Sequence, residues 1–114
     1  MFDGLPALLR IGSYDVTIVI VDQMPDGSND FGEFSYNRSV ITLRKLQPTP
    51  AFGVDTLLHE IVHAIHSFYD IKSKKDDEER VACRLGAALT QIFRDNPQLL
   101  TWIAKSLGSD TLPK

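Results

Sequence analysis

The chain has 114 residues, a size that allows one domain with a modest hydrophobic core. Its hydrophobic content of 43% and charged content of 24% are those of a globular protein and exclude a disordered chain. The net charge is −3, and no basic run exceeds two residues, so nucleic-acid binding has no electrostatic support.

The cysteine content and the apolar runs set the expected compartment. Cys83 is the single cysteine, which excludes an internal disulfide and a cysteine-built zinc site and fits a reducing environment. The N-terminus lacks the basic and apolar segments of a secretory signal, and the apolar runs are too short to cross a bilayer. We therefore expect a cytoplasmic protein that interacts with neither nucleic acid nor membrane.

The first half of the chain has the composition of strands. Residues 8–11 and 14–21 are predicted as two strands joined by a tight turn, and the second is β-branched and almost wholly apolar. Its lack of alternation predicts that it is central or covered on both faces. Residues 31–36 and 39–44 are typical of a hairpin. Residues 47–53 contain two prolines and are expected to form a linker without regular structure.

The second half is predicted to be helical. One helix is expected over residues 54–69, capped by Asp55 or Thr56, and a second from the acidic run at residues 76–79 to about residue 95. The second helix carries an apolar stripe made of Val81, Leu85, Ala88, Leu89, Ile92 and Phe93. Asn96 is expected to cap a last helix over residues 97–107.

These elements predict one α+β domain spanning residues 1–114. A small N-terminal antiparallel or mixed sheet of three or four strands would pack against the helix over residues 54–69 and one or two C-terminal helices.

The helix over residues 54–69 contains the sequence His59-Glu60-Ile61-Val62-His63. Histidines four residues apart lie on one face of a helix, about one turn apart, where two neutral imidazoles can bind one Zn²⁺. Glu60 lies beside them and can accept a proton from a water that the metal activates.

The surroundings of this motif strengthen the metal hypothesis. Glu60 is the only acidic or basic residue, histidines aside, between Thr56 and Ser67, so the helix is predicted to be mostly buried. Burying polar side chains without partners costs several kcal/mol, and a metal would satisfy them. The alternative is an amphipathic helix whose histidines are solvated.

His66 follows His59 by seven residues and shares the same stripe. The two are about 10 Å apart along the helix axis, which makes His66 a poor ligand for the same ion. We expect His66 to line the cleft or to support the metal ligands.

A catalytic zinc site usually has three protein ligands. Cys83 is a possible third ligand, but the acidic start of the second helix is a better source. Glu79 shares a helix face with small residues, which would let two helices approach closely, whereas Glu78 lies on the side of Leu85 and Leu89. We therefore favour Glu79, with Glu78 as the alternative.

The chain resembles the gluzincin metallopeptidases in having a hairpin, then H-E-x-x-H, then an acidic helix start. Its size is similar to that of the minigluzincins and the ImmA/IrrE-type peptidase domain. The likeness is strongest to small phage-encoded metallopeptidase-like proteins with an L-L-H-E-x-x-H-A-I helix, a later E-E-x-V segment and R-D-N-P. Those segments are residues 57–65, 78–81 and 94–97 of this chain.

This resemblance implies one zinc ion per chain, held by His59, His63 and a helix-borne glutamate, with Glu60 as general base. It predicts a zinc metallopeptidase in the host cytoplasm if the chain is phage-encoded. A peptide or protein substrate could bind by strand addition along residues 31–36.

The oxyanion of the reaction needs a stabilising donor, for which His66, Tyr36 and Tyr69 are the candidates. Two other hypotheses stay open. The chain could be a zinc-stabilised protein-binding module without turnover, in which Glu60 would not be required. It could also be an interaction protein that binds no metal.

Overall fold

The computed structural model describes residues 1–70 and 78–111 and has the α+β architecture that the sequence predicts. Four strands precede three helices along the chain. The strands are β1 (Leu8–Ile11), β2 (Tyr14–Val21), β3 (Gly32–Ser35) and β4 (Val40–Arg44). The helices are α1 (Pro50–Phe68), α2 (Glu78–Asp95) and α3 (Pro97–Thr111).

The four strands form one mixed sheet in the order β1-β2-β4-β3. β2 and β4 are central and parallel, while β1 and β3 are antiparallel edge strands. The predicted central position of β2 is confirmed, but β2 is not covered on both faces. Val16 and Ile18 are buried, whereas Val19 is 38% exposed, because neighbouring residues of a strand point to opposite faces.

The hydrophobic core lies between one face of the sheet and the helices. α1 packs against β3, β4 and α3, and α2 packs against β1 and α3. The fully buried large side chains come from every layer and include Leu9, Ile11, Ile41, Leu43, Leu57, Ile61, Ile65, Ile92 and Leu99. α1, the helix that carries the His-Glu-His motif, therefore packs against both the sheet and α3. This packing fixes the orientation of the side chains that α1 presents at the surface.

α1 begins earlier than the sequence predicts. The cap is Thr49, whose hydroxyl accepts a hydrogen bond from the Phe52 N–H at 3.1 Å, and Pro50 is the first helical residue. Residues 47–49 are irregular as expected, but residues 50–53 belong to α1, so the predicted helix start at residue 54 with Asp55 or Thr56 as cap is wrong. Proline is well tolerated in the first turn of a helix, where its missing N–H would have had no partner.

α2 packs with the predicted stripe inward, since Ala88 and Ile92 are buried and the other stripe residues are partly buried. The predicted start at residues 76–77 lies outside the described residues. α3 continues through Gly108 to Thr111, beyond its predicted end. None of the helices in the described ranges is long and apolar enough to span a membrane.

Asn96 does not use its side chain to cap α3. Its Oδ1 accepts a hydrogen bond from the Arg10 N–H at 2.9 Å, and its Nδ2 donates to the carbonyls of Arg10 and Ile92 at 3.0 and 2.7 Å. Asn96 is 8% exposed, so its amide serves the buried junction of β1 with the end of α2.

Candidate active site

A cleft of about 600 Å³ runs between the edge strand β3 and the helix α1. It is lined from the β3 side by Asp30, Phe31, Gly32, Glu33, Phe34 and Tyr36, and from α1 by Phe52, Asp55, Thr56, His59, Glu60, His63 and Ser67. The structure thus brings the whole His-Glu-His motif to one cavity.

Gly32 allows β3 to lie directly against α1. A Cβ atom at this position would stand 2.8 Å from Thr56 Cγ2, 3.2 Å from Leu43 Cδ2 and 3.3 Å from Glu60 Cγ. No side chain fits this gap without displacing its neighbours. The glycine therefore sets the distance between the strand and the His-Glu-His motif.

Gln47 ties the hairpin to α1 through three hydrogen bonds. Its Nε2 donates to the carbonyls of Phe31 and Arg44 at 3.1 and 2.8 Å. The Thr56 hydroxyl hydrogen-bonds to Gln47 Oε1 at 3.0 Å. One side chain thus links both strands of the hairpin to the helix and fixes the width of the cleft at this end.

His59 and His63 converge on one point in the cleft. Their Nε2 atoms are 3.1 Å apart, and their rings stand 4.7 Å apart at an angle of 77°. Burial lowers the pKa of His63, and the neighbouring charges of His59 and His66 lower it further. Neutral imidazole is the form that binds metals.

The spacing of the two imidazoles fits a shared metal ion. Two nitrogen ligands about 2.0–2.1 Å from one tetrahedral zinc stand roughly 3.3 Å apart. The observed Nε2–Nε2 separation of 3.1 Å is close to that value. Two lone pairs directed at one point repel each other unless a proton or a cation lies between them.

Glu60 is the buried acid of the cleft. Its side chain is only 6% exposed, and its carboxylate has no hydrogen-bond or ion-pair partner within the described part of the chain. Burial raises the pKa of the Glu60 carboxyl; His59 lowers it, and the carboxylates of Asp30 and Glu33 raise it. Such a group holds a proton more readily than a surface glutamate.

The structure does not bring Glu79 to the two histidines. Glu79 is exposed, and its Oε1 lies 3.8 Å from Cys83 Sγ on the same helix. Among residues 1–70 and 78–111 no cluster of three metal-ligating side chains is present. The side chain of Glu78 lies outside the described residues, so that alternative stays a prediction.

The face of α2 that carries Glu79 points to solvent. The expectation that its small residues pack against another helix is wrong, since Ala82 and Cys83 are exposed and a Cβ at Gly86 would meet nothing within 4 Å. The reason is that burial of the apolar stripe against β1 and α3 decides how the helix is rotated.

Of the three candidates for oxyanion stabilisation, Tyr36 alone lines the cleft, where its ring is 57% exposed. His66 Nδ1 lies 2.9 Å from the Val62 carbonyl, so this imidazole is bound to its own helix. The Tyr69 hydroxyl lies beside Gly12 in the turn between β1 and β2, away from the cleft.

Sequence reasoning named Tyr36 and the strand over residues 31–36 but did not single out Asp30, Phe52 or Asp55 as site residues. Asp55 and Phe52 precede His59 by four and seven residues, so their helical spacing could have revealed them once α1 was known to start at Pro50. Asp30 and Glu33 reach the site through the packing of β3 on α1, for which the local sequence carries no signal.

The two edge strands of the sheet differ in whether their outward peptide groups are hydrogen-bonded. At the β1 edge, Asn96 binds the N–H and C=O of Arg10, and Gln91 binds the N–H of Gly12, just after the strand, at 2.8 Å. On β3, Phe31 faces β4, since its carbonyl accepts from the Arg44 N–H at 2.9 Å. By alternation, Gly32 and Phe34 direct their peptide groups to the free side.

No hydrogen bond to the peptide groups of Gly32 or Phe34 on that free side occurs in the described ranges. The open edge of β3 therefore borders the cleft that contains the motif.

Comparisons of the chain with protein-family models, with curated proteins and with solved structures give no match.

Proposed function

We propose that this protein is a zinc-dependent peptidase that hydrolyses a peptide bound along β3. The observation that carries the proposal is the convergence of His59 and His63 Nε2 atoms, 3.1 Å apart, in the same cleft as the buried and unpartnered Glu60. The gluzincin-like resemblance of the sequence agrees with this assignment and is part of the proposal. A reducing, cytoplasmic location is part of it too, because Cys83 is a free thiol.

The substrate would enter as an added strand. The outward N–H and C=O groups of Gly32 and Phe34 can pair with two peptide units of an extended chain. Gly32 lies against Glu60, so a peptide paired there passes in front of the motif. This arrangement supports peptide as the substrate class over a small molecule.

Within this arrangement Glu60 acts as general base and then as general acid. It accepts a proton from the water that attacks the scissile carbonyl and delivers that proton to the departing amine. Its carboxylate borders the cleft and has no partner in the described part of the chain, which leaves both oxygens available. Tyr36, whose phenol borders the cleft, can donate a hydrogen bond to the oxyanion.

His59 and His63 would hold the metal, and the third ligand is proposed to come from the start of α2. A zinc ion bound there would polarise the carbonyl and acidify water. Because Glu79 faces solvent, we expect Glu78→Gln to weaken zinc binding more than Glu79→Gln in a chelator competition. If Glu79→Gln weakened zinc binding more than Glu78→Gln, Glu79 would be the third ligand, and α2 would have to rotate when zinc binds.

The experiment that tests the proposal compares wild type with Glu60→Gln on unfolded casein and a mixed peptide library, with products identified by mass spectrometry. Cleavage by wild type alone, with zinc retained in both proteins, supports the peptidase. Equal cleavage by both removes Glu60 from the mechanism. Cleavage by neither, with zinc present, favours the zinc-stabilised binding module instead.

A further inference from the structure

The cleft continues past the motif to an acidic and aromatic end. Phe31 and Phe52 meet edge to face there, with ring centroids 4.9 Å apart. Asp30 precedes Phe31 in the chain, and Asp55 lies three residues after Phe52 on α1. Both carboxylates are exposed and line the same cleft as the two rings.

This cleft is lined by acidic residues and is negatively charged. Four carboxylates line it, those of Asp30, Glu33, Asp55 and Glu60, and none of its lining residues is Lys or Arg. Within residues 1–70 and 78–111, Asp30, Glu33 and Asp55 make no ion pair. A bound divalent cation would offset two of these four charges and leave the cleft negative.

Arg44, which lies beside Phe31, does not fill this end. The Arg44 guanidinium stands 4.9 Å from the centre of the Phe31 ring and donates to the Asn29 carbonyl at 3.1 Å. Arg44 is not among the residues that line the cleft. Phe52, which is 39% exposed, is therefore the ring that remains available to a ligand.

Glu60 gives a second sign that a ligand belongs here. Its side chain is only 6% exposed, and its carboxylate reaches the same cleft without a partner in the described part of the chain. An acid placed in this way favours the approach of a donor or a cation.

We infer that the end of the cleft formed by Asp30, Phe31, Phe52 and Asp55 is a subsite for a lysine or arginine side chain of the bound peptide. The alkyl stem of such a side chain packs along the Phe52 ring while its charged head reaches the two carboxylates. This inference rests on the proposed function for the path of the peptide along β3. It adds the substrate class, which is peptides with a basic residue beside the scissile bond.

The test measures binding without hydrolysis, in the full chain carrying Glu60→Gln. The probes are three fluorescein-labelled nonapeptides that are identical except for a central Lys, Gln or Glu, titrated by fluorescence anisotropy. An exposed ion pair contributes roughly 1.4- to 5-fold in affinity, so two pairs give Lys a preference of about 2- to 30-fold over Gln. The Glu peptide binds most weakly, and about 0.5 M NaCl reduces the preference.

Three variants locate the subsite. Asp30→Asn and Asp55→Asn each reduce the Lys-to-Gln affinity ratio, and the double variant brings it close to one. Asp22→Asn is the matched control, because it removes one exposed carboxylate that does not line the cleft and leaves the ratio unchanged. All three substitutions keep the volume of the residue nearly constant, and thermal melting verifies that each of the four variants folds.

Equal affinity for the Lys and Glu peptides, or a Lys preference that survives in the double variant, overturns the inference. Binding of none of the three peptides overturns it too. Failure of the proposed function is distinguishable. If wild type cleaves peptides without a preference for basic residues, the subsite is contradicted and the peptidase is supported. If the protein binds the Lys peptide selectively but wild type does not cleave it, the subsite is supported and the peptidase is contradicted.

Discussion

Glu60 is the residue around which the cleft is arranged, and its burial has a physical cost. Its side chain is 6% exposed and has no partner in the described part of the chain, whereas Asp55, the other acid of α1, is exposed. The Nε2 atoms of His59 and His63 stand 3.1 Å apart, a distance at which they share either a proton or a cation. One metal ion bound to both imidazoles would also offset the charge of Glu60, so metal binding and stability should be coupled.

We predict that the purified protein holds about one zinc ion and that His63→Ala loses both the zinc and thermal stability. The variant keeps one of the two converging imidazoles and so cannot hold the ion in the same way. Metal analysis and thermal melting with and without a chelator measure the two effects. His66→Ala is the matched control, because that imidazole binds the Val62 carbonyl and does not line the cleft. Full stability of His63→Ala with zinc content unchanged would contradict the prediction.

At the scale of elements, the site depends on how closely β3 approaches α1. Gly32 lets the strand touch Thr56 and Glu60, and Gln47 holds the hairpin to the helix through Phe31, Arg44 and Thr56. The exposed edge of β3 is a liability in most sheets, whereas the β1 edge of this sheet is covered by side chains of α2 and of its junction with α3. An open edge beside the His-Glu-His motif is what the proposed strand addition of a substrate requires.

We predict that Gly32→Ala destabilises the protein by about 1–3 kcal/mol, because its Cβ would stand 2.8 Å from the buried Thr56 Cγ2. Urea denaturation measures the change. Gly86→Ala is the control for the same substitution, since nothing lies within 4 Å of its Cβ in the exposed face of α2. There alanine should stabilise the helix by roughly 0.5–1 kcal/mol. Equal effects at the two positions would show that the contact of β3 with α1 is not tight.

The directions of β3 and α1 predict where cleavage occurs. Phe31 lies beside Phe52, and Phe34 lies beside Phe68 with ring centroids 5.6 Å apart, so the two elements run the same way along the cleft. An added strand pairs slightly more favourably when antiparallel, which directs its C-terminal part to Asp30. We therefore expect cleavage on the N-terminal side of Lys or Arg, read by mass spectrometry of the products. Cleavage predominantly after basic residues would reverse the direction of the bound peptide.

At the scale of the whole molecule, the sequence predicts where strands and helices lie along the chain better than it predicts which face of a helix points to the core. The strands, the motif helix and the apolar stripe of α2 follow from local composition and periodicity. The third ligand does not, because the face that α2 presents depends on packing against β1 and α3, which turns Glu79 to solvent. Asp30 reaches the cleft in the same non-local way, since pairing of β3 with β4 and its contact with α1 are decided by tertiary structure.

The most direct test of the proposed peptidase is single-turnover cleavage of a peptide with one central lysine by zinc-loaded wild type and by Glu60→Gln. We predict that both proteins fold, bind about one zinc ion and bind the peptide, and that Glu60→Gln cleaves it about 10²- to 10⁴-fold more slowly, because glutamine cannot accept the proton. Equal rates of cleavage by the two proteins at equal zinc content would contradict it.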